Sequence, residues 1–410
     1  MHPAGSKTGL IIIGGGASGL AAACIAVSRS QRVILLEARD RIGRKLLATG
    51  NGRCNLLNAG PPIYFGDTSF ALQVLERCGA EEVLSFFHGL GLTTVVEERG
   101  LCYPACMQAA AVLDVLRRPL ERSPLCTIRC GEEVTDIRAS SGGFFVNTVQ
   151  GSRYEAARVL VAAGSPAQPQ LSGSDTLYAP LVRLGHRLIP ARPALSALLT
   201  PREAVRGLKG LRLPAICTLC DEGRPVARTE GEVLFAEDGL SGVCVMQLSR
   251  DAGELVLGGR RPLVYLDFSP LLGLAERRYQ RSAAGAPGEN EARVLAWLTE
   301  RAQRLPPGEV LTGALPRLLL QRLEGKPMQE QARLLSAFPL AVTGVRGFEH
   351  AQVAAGGIDC ADVDPYTMES RLVPGLYLAG EVLNVDGDTG GHNLLFAWAS
   401  GLLAGAAASG

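Results

Sequence analysis

Three features that would assign this chain to a particular partner or location are absent from its sequence. No apolar run reaches the roughly 20 residues that a helix needs to span a bilayer. Lys and Arg number 41 against 40 Asp and Glu, and a net charge of +1 provides no concentrated positive surface for binding nucleic acid. The first apolar stretch, residues 10–13, is too short for the apolar region of a signal peptide. We therefore predict a cytoplasmic protein without a membrane or nucleic-acid partner.

Motifs for metal binding and nucleophilic catalysis are scarce as well. The chain has five histidines, no HExxH and no ordered Ser/His/Asp motif, so no metal site is predicted. Its 11 cysteines are irregularly spaced and odd in number, as expected where thiols stay reduced. Cys217 and Cys220 form a CxxC inside a strand-like run, and we interpret them as sheet core rather than as a redox or zinc pair. Cys102 and Cys106 are separated by Pro104, which predicts a loop.

Glycine, in contrast, is present where a dinucleotide would need it. Residues 10–13 form a short β-branched apolar run, typical of a strand buried in a parallel sheet. Gly14, Gly16 and Gly19 follow in a GxGxxG pattern. The first permits a tight turn, the second lets a pyrophosphate approach the backbone, and the third lets a helix pack closely on the strand. The alanine-rich segment 20–30 predicts that helix, whose N-terminal N–H groups would face the phosphates.

A second strand, residues 32–36, is predicted to end at Glu37. This carboxylate follows the glycines at close to the spacing of about 20 residues expected for a group that binds ribose hydroxyls. Its negative charge disfavours a ribose 2′-phosphate at the same position. The unit therefore predicts FAD or NAD.

Three further segments favour FAD over NAD. Residues 38–45 contain the Arg-x-Gly pattern that follows the ribose acid in FAD enzymes of the glutathione reductase type. A strand over residues 158–165 ends in small residues that would pass near the cofactor. A late strand over residues 375–381 ends in Gly-Glu, whose backbone and carboxylate would reach the ribityl chain and the pyrophosphate.

A glycine pair, Gly390 and Gly391, precedes a predicted helix over residues 395–404. At the pyrimidine end of a flavin, the N–H groups of such a helix start would stabilise the negative charge of the reduced form. The alternative is a strand-to-helix turn that simply requires glycine. The preceding Gly-Glu strand favours the cofactor interpretation.

Four blocks of sequence carry a resemblance to a known family. They are residues 46–55 (LLATGNGRCN), Gly356-Gly357, residues 373–387 (VPGLYLAGEVLNVDG) and residues 390–394 (GGHNL). Together they resemble the bacterial HI0933-like flavoproteins, also known as BaiN-like or aminoacetone-oxidase-like proteins, over essentially the full length. The resemblance implies bound FAD, chemistry linked to NAD(P)H, and an FAD domain interrupted by an inserted domain. Members of this family have been linked to the reduction of a steroid (bile-acid) double bond.

Two positions depart from the pattern of that family. His392 stands where an aromatic residue such as Tyr is expected, and Ala236-Glu237 replaces a Thr-His pair of the insert. If either position lines the substrate cavity, substrate specificity would differ from that of the better-known members.

The predicted fold class is α/β, with a three-layer Rossmann-type FAD-binding domain of the glutathione reductase type. We assign its two parts to residues 1–190 and 340–410, and an inserted β-barrel plus helical domain to residues 191–339. Strand-like runs predict an antiparallel β-unit over about 191–265, and apolar residues at helical spacing predict a helical cluster over about 270–339. The clearest elements of the insert are strands at 215–220 and 231–235, helices at 289–303 and 317–323, and a joint at 282–288.

The predicted site residues come from both parts of the FAD domain. Lys45 and Arg53 would neutralise phosphate or the reduced flavin. Cys54 and His392 are the candidates for catalysis, although Cys54 is better explained as a tightly packed small residue, and His392 either acts as an acid or only packs there. The full predicted cofactor-binding set is Gly14, Gly16, Ala17, Ser18, Gly19, Glu37, Ala38, Arg39, Lys45, Asn51, Gly52, Arg53, Cys54, Val134, Ala163, Gly164, Gly380, Glu381, Asp386, Gly391, His392, Asn393 and Leu394.

The function predicted from these features is that of an FAD-dependent oxidoreductase acting on a small molecule. It would take hydride from NAD(P)H and reduce an activated C=C bond or a related substrate. No second GxGxxG lies between a strand and a helix, so the nicotinamide is predicted to bind transiently in the cleft between domains. The alternatives are a flavin oxidase of a small amine or ketone, and a non-catalytic FAD-binding or RNA-modification-associated protein.

Overall fold

The computed structural model describes residues 8–275 and 285–410 and divides into two compact units. The first unit comprises the described residues up to Arg192 together with Val353–Gly410, and the second comprises Pro193–Gln352. Residues 340–352 therefore belong to the second unit, although their sequence was interpreted as part of the FAD domain. Part of the predicted joint, residues 282–284, lies outside the described residues.

The described residues form strands and helices that follow one another in varying order. In chain order the strands are β1 (Thr8–Ile13), β2 (Val33–Glu37), β3 (Leu57–Asn58), β4 (Tyr64–Gly66), β5 (Thr94–Val96), β6 (Leu101–Pro104), β7 (Cys126–Cys130), β8 (Val134–Ser140), β9 (Gly143–Thr148), β10 (Arg153–Val161), β11 (Leu188–Ala194), β12 (Leu198–Leu199), β13 (Arg212–Asp221), β14 (Arg224–Phe235), β15 (Gly239–Ser241), β16 (Leu263–Asp267), β17 (Phe338–Ala341), β18 (Gly344–Val345), β19 (Val353–Ile358), β20 (Leu376–Leu378) and β21 (Val385–Gly387). The helices are α1 (Ala17–Ser28), α2 (Arg44–Ala48), α3 (Thr68–Arg77), α4 (Ala80–Gly89), α5 (Ala109–Arg122), α6 (Tyr178–Arg183), α7 (Arg202–Val205), α8 (Val243–Gln247), α9 (Ser249–Leu257), α10 (Glu291–Ala302), α11 (Arg317–Leu323), α12 (Met328–Ser336) and α13 (His392–Ala407).

The first unit is built on a mixed sheet whose central strands are parallel. Its order is β7-β2-β1-β10-β9-β8, and β20 also pairs with β10. Strands β7, β2, β1, β10 and β20 run parallel, while β9 and β8 are antiparallel additions. Their apolar residues form one continuous core with the helices of this unit. This arrangement confirms the predicted α/β class and the βαβ unit at its start.

Helices α1 and α13 come from opposite ends of the chain and pack closely together. A Cβ at Gly401 would lie 2.3 Å from the Ser18 carbonyl oxygen, and one at Gly405 would lie 2.5 Å from that of Ala22. Because these positions carry no side chain, the two helix backbones can approach. The C-terminal block is thereby fixed against the N-terminal glycine loop.

The second unit has its own core and a seven-stranded antiparallel sheet, in the order β17-β16-β13-β14-β15-β12-β18. The predicted β-barrel is wrong in its closure, because the described strands form a path with two ends, β17 and β18. Residues 338–345 pair with β16 through their first half and with β12 through their second half. This pairing also explains why the unit extends past residue 339. The predicted strands at 215–220 and 231–235 and helix at 317–323 are confirmed, and the first predicted helix corresponds to α10.

None of the helices within the described ranges combines the length and the apolar character that crossing a bilayer requires.

Candidate functional site

Three neighbouring parallel strands of the first unit end level with one another. Ile13 of β1 is in register with Val161 of β10, which in turn is in register with Leu378 of β20. The loops that follow these strands therefore meet at one edge of the sheet. They are the GxGxxG loop, the Ala163-Gly164 segment and the Gly380-Glu381 segment, and they were predicted from three separate regions of the sequence.

The glycines of the first loop differ in what surrounds them. Gly14 has a φ of +107°, and a Cβ there would lie 2.3 Å from the Ala162 carbonyl oxygen. A Cβ at Gly19 would lie 1.9 Å from the Gly14 oxygen, so α1 packs directly on the turn. A Cβ at Gly16, in contrast, would meet nothing within 4 Å. Gly16 is the N-cap of α1 and has no side-chain cap, so the space beside it can receive an anion at the helix N-terminus.

Glu37 is buried at the end of β2, with 7% of its surface exposed. Its Oε2 accepts a hydrogen bond from Gly15 N–H and its Oε1 accepts one from Arg39 N–H, both at 2.8 Å. The carboxylate is therefore fixed next to the glycine loop. Ala38 between these residues is exposed.

The turn before β8 lies beside this carboxylate. Glu132 N–H donates to the Glu37 carbonyl oxygen at 3.0 Å, and Gly131 N–H donates to that of Arg39 at 2.8 Å. Val134, two residues further along, is buried. The structure thus brings Glu37, Arg39 and the start of β8 together.

Lys45 and Glu381 form an ion pair beside the glycine loop, with 2.6 Å between Nζ and Oε2. Lys45 lies on α2. Gly43, the residue that precedes this helix, donates its N–H to the Gly15 oxygen at 2.9 Å. The segment that carries Glu381 approaches from the other side.

On that side, a Cβ at Gly380 would lie 2.5 Å from Ser18 Oγ, which places Glu381 at the start of α1. Glu381 Oε1 also accepts a hydrogen bond from Ala354 N–H at 3.1 Å. Both charged side chains remain partly exposed, at 24% for Lys45 and 19% for Glu381. They can therefore still interact with a ligand at the glycine loop.

The loop over residues 49–55 has an unusual backbone. Gly50, Asn51, Gly52 and Cys54 all have positive φ, and a Cβ at Gly52 would meet nothing within 4 Å. Asn51 and Arg53 are exposed. Cys54 is fully buried, and burial raises the pKa of its thiol to about 12. A thiol with this pKa stays protonated at neutral pH, which supports a packing role for Cys54.

The segment after β10 offers a third open glycine. Gly164 has a φ of +77°, and a Cβ there would meet nothing within 4 Å. Ala163 is half-buried beside it. Gly16, Gly52 and Gly164 therefore leave free space where a bound molecule can approach the backbone.

His392 is the first residue of α13 and is 3% exposed. Burial lowers the pKa of its imidazole to about 4, so the ring is neutral at neutral pH. Its Nδ1 is buried without a hydrogen-bond partner among the described residues. The Tyr64 ring packs edge-on at 5.8 Å, and the Tyr64 hydroxyl donates to the His392 carbonyl oxygen at 2.7 Å.

Asn393 uses its side chain to hold the preceding loop. Its Oδ1 accepts a hydrogen bond from Gly387 N–H, and its Nδ2 donates to the Gly387 oxygen, both at 2.8 Å. The predicted residue Asp386 is buried on β21, next to Gly387, and Leu394 is half-buried. The Asn393 side chain therefore shapes the loop before α13.

These features fit FAD. The predicted roles of Glu37 at the adenosine ribose, of the α1 N-terminus at the pyrophosphate and of the α13 N-terminus at the distal end of the cofactor remain predictions that this geometry permits. The open glycines form a cradle that side chains would fill. Two further residues that contact the start of α13 from distant segments were not predicted from the sequence. Tyr64 donates to the His392 oxygen, and Asn58 donates to the Gly390 oxygen. Asn58 follows the 46–55 block by three residues, and its position next to this block is the feature of the sequence from which it could have been predicted.

The two predicted cysteine motifs lie on or next to β-strands. Cys217 and Cys220 are buried on β13, as predicted for sheet core, and both are free thiols. Cys102 lies on β6, and Cys106 is exposed beyond the end of that strand. Neither pair forms a disulfide bond.

Comparison with known proteins gives one family and several relatives. A family model described as "HI0933-like protein Rossmann domain" matches residues 8–407. A 3-dehydro-bile acid delta(4,6)-reductase from Clostridium scindens is 36% identical over 97% of this chain and 98% of its own length. A ribosomal RNA dihydrouridine synthase from Escherichia coli is 29% identical over 95% of both chains.

Among solved structures, the 3-ketosteroid delta1-dehydrogenase from Sterolibacterium denitrificans is similar, with a TM-score of 0.51. The two chains are 13% identical, and the match covers 98% of this chain and 99% of the other. At this identity the likeness concerns the fold, and it agrees with the predicted Rossmann-type architecture.

Proposed function

Because this chain belongs to the HI0933-like protein family, we propose that it is an FAD-dependent oxidoreductase that reduces an activated C=C bond of a small molecule, with NADH or NADPH as electron source. The observation that carries the reaction type is the match to the Clostridium scindens reductase, which extends over 97% of this chain. Bound FAD would supply the hydride chemistry, for which amino-acid side chains are poorly suited.

The residues of the first unit have defined tasks in this proposal. Glu37 accepts hydrogen bonds from the ribose hydroxyls, and the N-terminus of α1 binds the pyrophosphate beside Gly16. Lys45 balances part of the negative charge of the phosphates. The N-terminus of α13 would supply N–H donors to the pyrimidine end of the flavin, where negative charge develops on reduction.

The names of the two sequence relatives describe related chemistry. One is a reductase of the delta(4,6) double bonds of a 3-dehydro-bile acid, and the other makes dihydrouridine. Dihydrouridine is uridine with one ring C=C bond reduced, and in both substrates a carbonyl group draws electrons from such a bond. An electron-poor C=C bond is therefore the substrate class that we propose for this chain.

Anaerobic reduction tests the electron source. The FAD-loaded protein is mixed with NADH or NADPH, and the loss of the visible flavin absorption is followed. Rapid bleaching by either nicotinamide, followed by recovery of the colour on adding an unsaturated 3-keto steroid, is expected. Bleaching by a small amine but by neither nicotinamide would overturn the reductase in favour of the amine oxidase.

The ribosomal RNA relative supports a second candidate, reduction of uridine in RNA, because it matches over 95% of both chains. The predicted absence of a nucleic-acid partner is therefore itself a point to test. The protein is incubated with NADPH and ribosomal RNA transcripts, and dihydrouridine is measured by mass spectrometry. Its formation would replace the small-molecule substrate by RNA.

A further inference from the structure

Asn58 connects two segments of the candidate site that lie at opposite ends of the chain. It is the last residue of β3, three residues after the loop of residues 49–55, and it is 8% exposed. Its Nδ2 donates to the Gly390 carbonyl oxygen at 2.9 Å, across 332 positions of sequence. Its Oδ1 accepts a hydrogen bond from Gly60 N–H at 2.8 Å.

The orientation of this amide is fixed by its partners. The Gly60 N–H can only donate a hydrogen bond, and the Gly390 oxygen can only accept one. An inverted side chain would lose both interactions. Asn58 therefore holds the peptide between Gly390 and Gly391 in one orientation.

That peptide lies at the N-terminus of α13. Gly390 and Gly391 have φ values of +96° and +101°, and a Cβ at Gly391 would lie 2.5 Å from the Leu57 carbonyl carbon. The glycine backbone is therefore pressed against β3. In a trans peptide, C=O and N–H point in opposite directions. With the Gly390 oxygen held by Asn58, the Gly391 N–H points away from β3.

The first intrahelical hydrogen bond of α13 runs from Leu395 N–H to the Gly391 oxygen. The N–H groups before it have no helical partner and form the donor end of the helix. Their direction depends on the position of the Gly391 peptide. A side chain that fixes this peptide thus determines where the donor end points.

We propose that Asn58 is a positioning residue that directs the N-terminus of α13 at the pyrimidine ring of bound FAD. The inference rests on the FAD-binding part of the proposed function and is independent of the electron source and the substrate. By orienting N–H donors toward developing negative charge, Asn58 stabilises the reduced cofactor and raises its reduction potential.

The test compares Asn58→Asp with Asn290→Asp. The first change keeps the shape and the acceptor for Gly60 but places a carboxylate oxygen against the Gly390 oxygen. Asn290, in the second unit, is also buried and donates to Asp267 Oδ2 at 2.7 Å and to Ser269 Oγ at 3.1 Å. Asn290→Asp removes a buried hydrogen-bond donor whose partners are not residues of the candidate site. This variant therefore shows what a loss of stability alone does to the measured quantities.

The measurements are the reduction potential of bound FAD and the FAD dissociation constant. For Asn58→Asp we expect a lower potential and roughly tenfold weaker FAD binding, the scale of one lost hydrogen bond. For Asn290→Asp we expect lower thermal stability with an unchanged potential. Acidification should return the Asn58→Asp potential toward the wild-type value at the same pH, because a protonated carboxyl can donate to the Gly390 oxygen.

A wild-type potential in Asn58→Asp, or equal shifts in both variants, would overturn the positioning role. If Asn58→Asp does not fold, Asn58→Ala removes the donor without adding charge and should lower the potential by a smaller amount. An unchanged potential in that variant would also overturn the role. Failure of the wild-type protein to bind FAD would instead refute the proposed function.

Discussion

The Lys45 ammonium and the Glu381 carboxylate, 336 positions apart in sequence, meet at 2.6 Å beside the glycine loop. α2 brings Lys45 there through the hydrogen bond from Gly43 to Gly15, and the turn after β20 brings Glu381. In the proposed complex, a carboxylate and two phosphates share this region. Lys45 is the cation that lets these negative charges lie close together.

A double-mutant cycle tests this charge balance. Lys45→Met should weaken FAD binding more than Glu381→Gln, because it leaves the carboxylate unpaired near the phosphates. The double variant should bind FAD better than the sum of the single effects predicts, with a coupling energy of about 1–3 kcal/mol. FAD fluorescence titration measures all four affinities. Additive effects would show that the pair does not act on the cofactor.

The Gly16→Leu substitution tests whether the open space beside Gly16 binds FAD. The φ of Gly16 is −86°, and the added side chain would meet no protein atom within 4 Å at its Cβ, so the fold should be retained. The side chain would occupy the space assigned to the pyrophosphate, and the purified protein should lose its yellow colour. Gly89→Leu is the matched control, because Gly89 is also open but lies at the exposed end of α4. Stoichiometric FAD in Gly16→Leu would refute the assigned position of the cofactor.

Two buried tyrosines should respond in opposite ways to loss of the hydroxyl. The Tyr178 hydroxyl is buried without a partner among the described residues, whereas that of Tyr64 donates to the His392 oxygen at 2.7 Å. In the FAD-free protein, Tyr64→Phe should lower the free energy of unfolding by about 1 kcal/mol, and Tyr178→Phe should leave it equal or raise it. Urea denaturation measures both. A large loss in Tyr178→Phe would reveal an interaction of its hydroxyl in the folded protein.

His392 should make the FAD-free protein less stable in acid. Its pKa falls from 6.5 to about 4 on burial, so the unfolded chain takes up a proton as the pH drops through 6.5 while the folded chain does not. This removes stability progressively between these two pH values, by up to about 3 kcal/mol. His392→Phe should flatten the pH dependence of the unfolding free energy in this window. As a control, His350→Phe changes an exposed histidine and should leave the pH dependence of the unfolding free energy as in the wild type. A wild-type pH dependence in His392→Phe would contradict the effect assigned to burial of His392.

The strands and helices at the start of the first unit could be predicted because each is determined by residues that are neighbours in sequence. The β-branched run before Gly14 predicts β1, and the glycine spacing predicts the turn into α1. The insert was less predictable. The first half of residues 338–345 pairs with β16 and the second half with β12, and nothing in their own sequence reveals partners so far away. For this reason the predicted boundary at residue 339 and the closed barrel were both incorrect.

The sequence by itself determined the dinucleotide loop, the acid at its second strand and the family to which the chain belongs. These features depend on residue type and on short spacings, and such patterns can be read along the chain. Only the tertiary structure placed Lys45 against Glu381 and Asn58 against Gly390. Contacts across more than 300 positions depend on how the sheet brings its strand ends together, because side-chain hydrogen bonds and ion pairs form only at distances of a few ångströms.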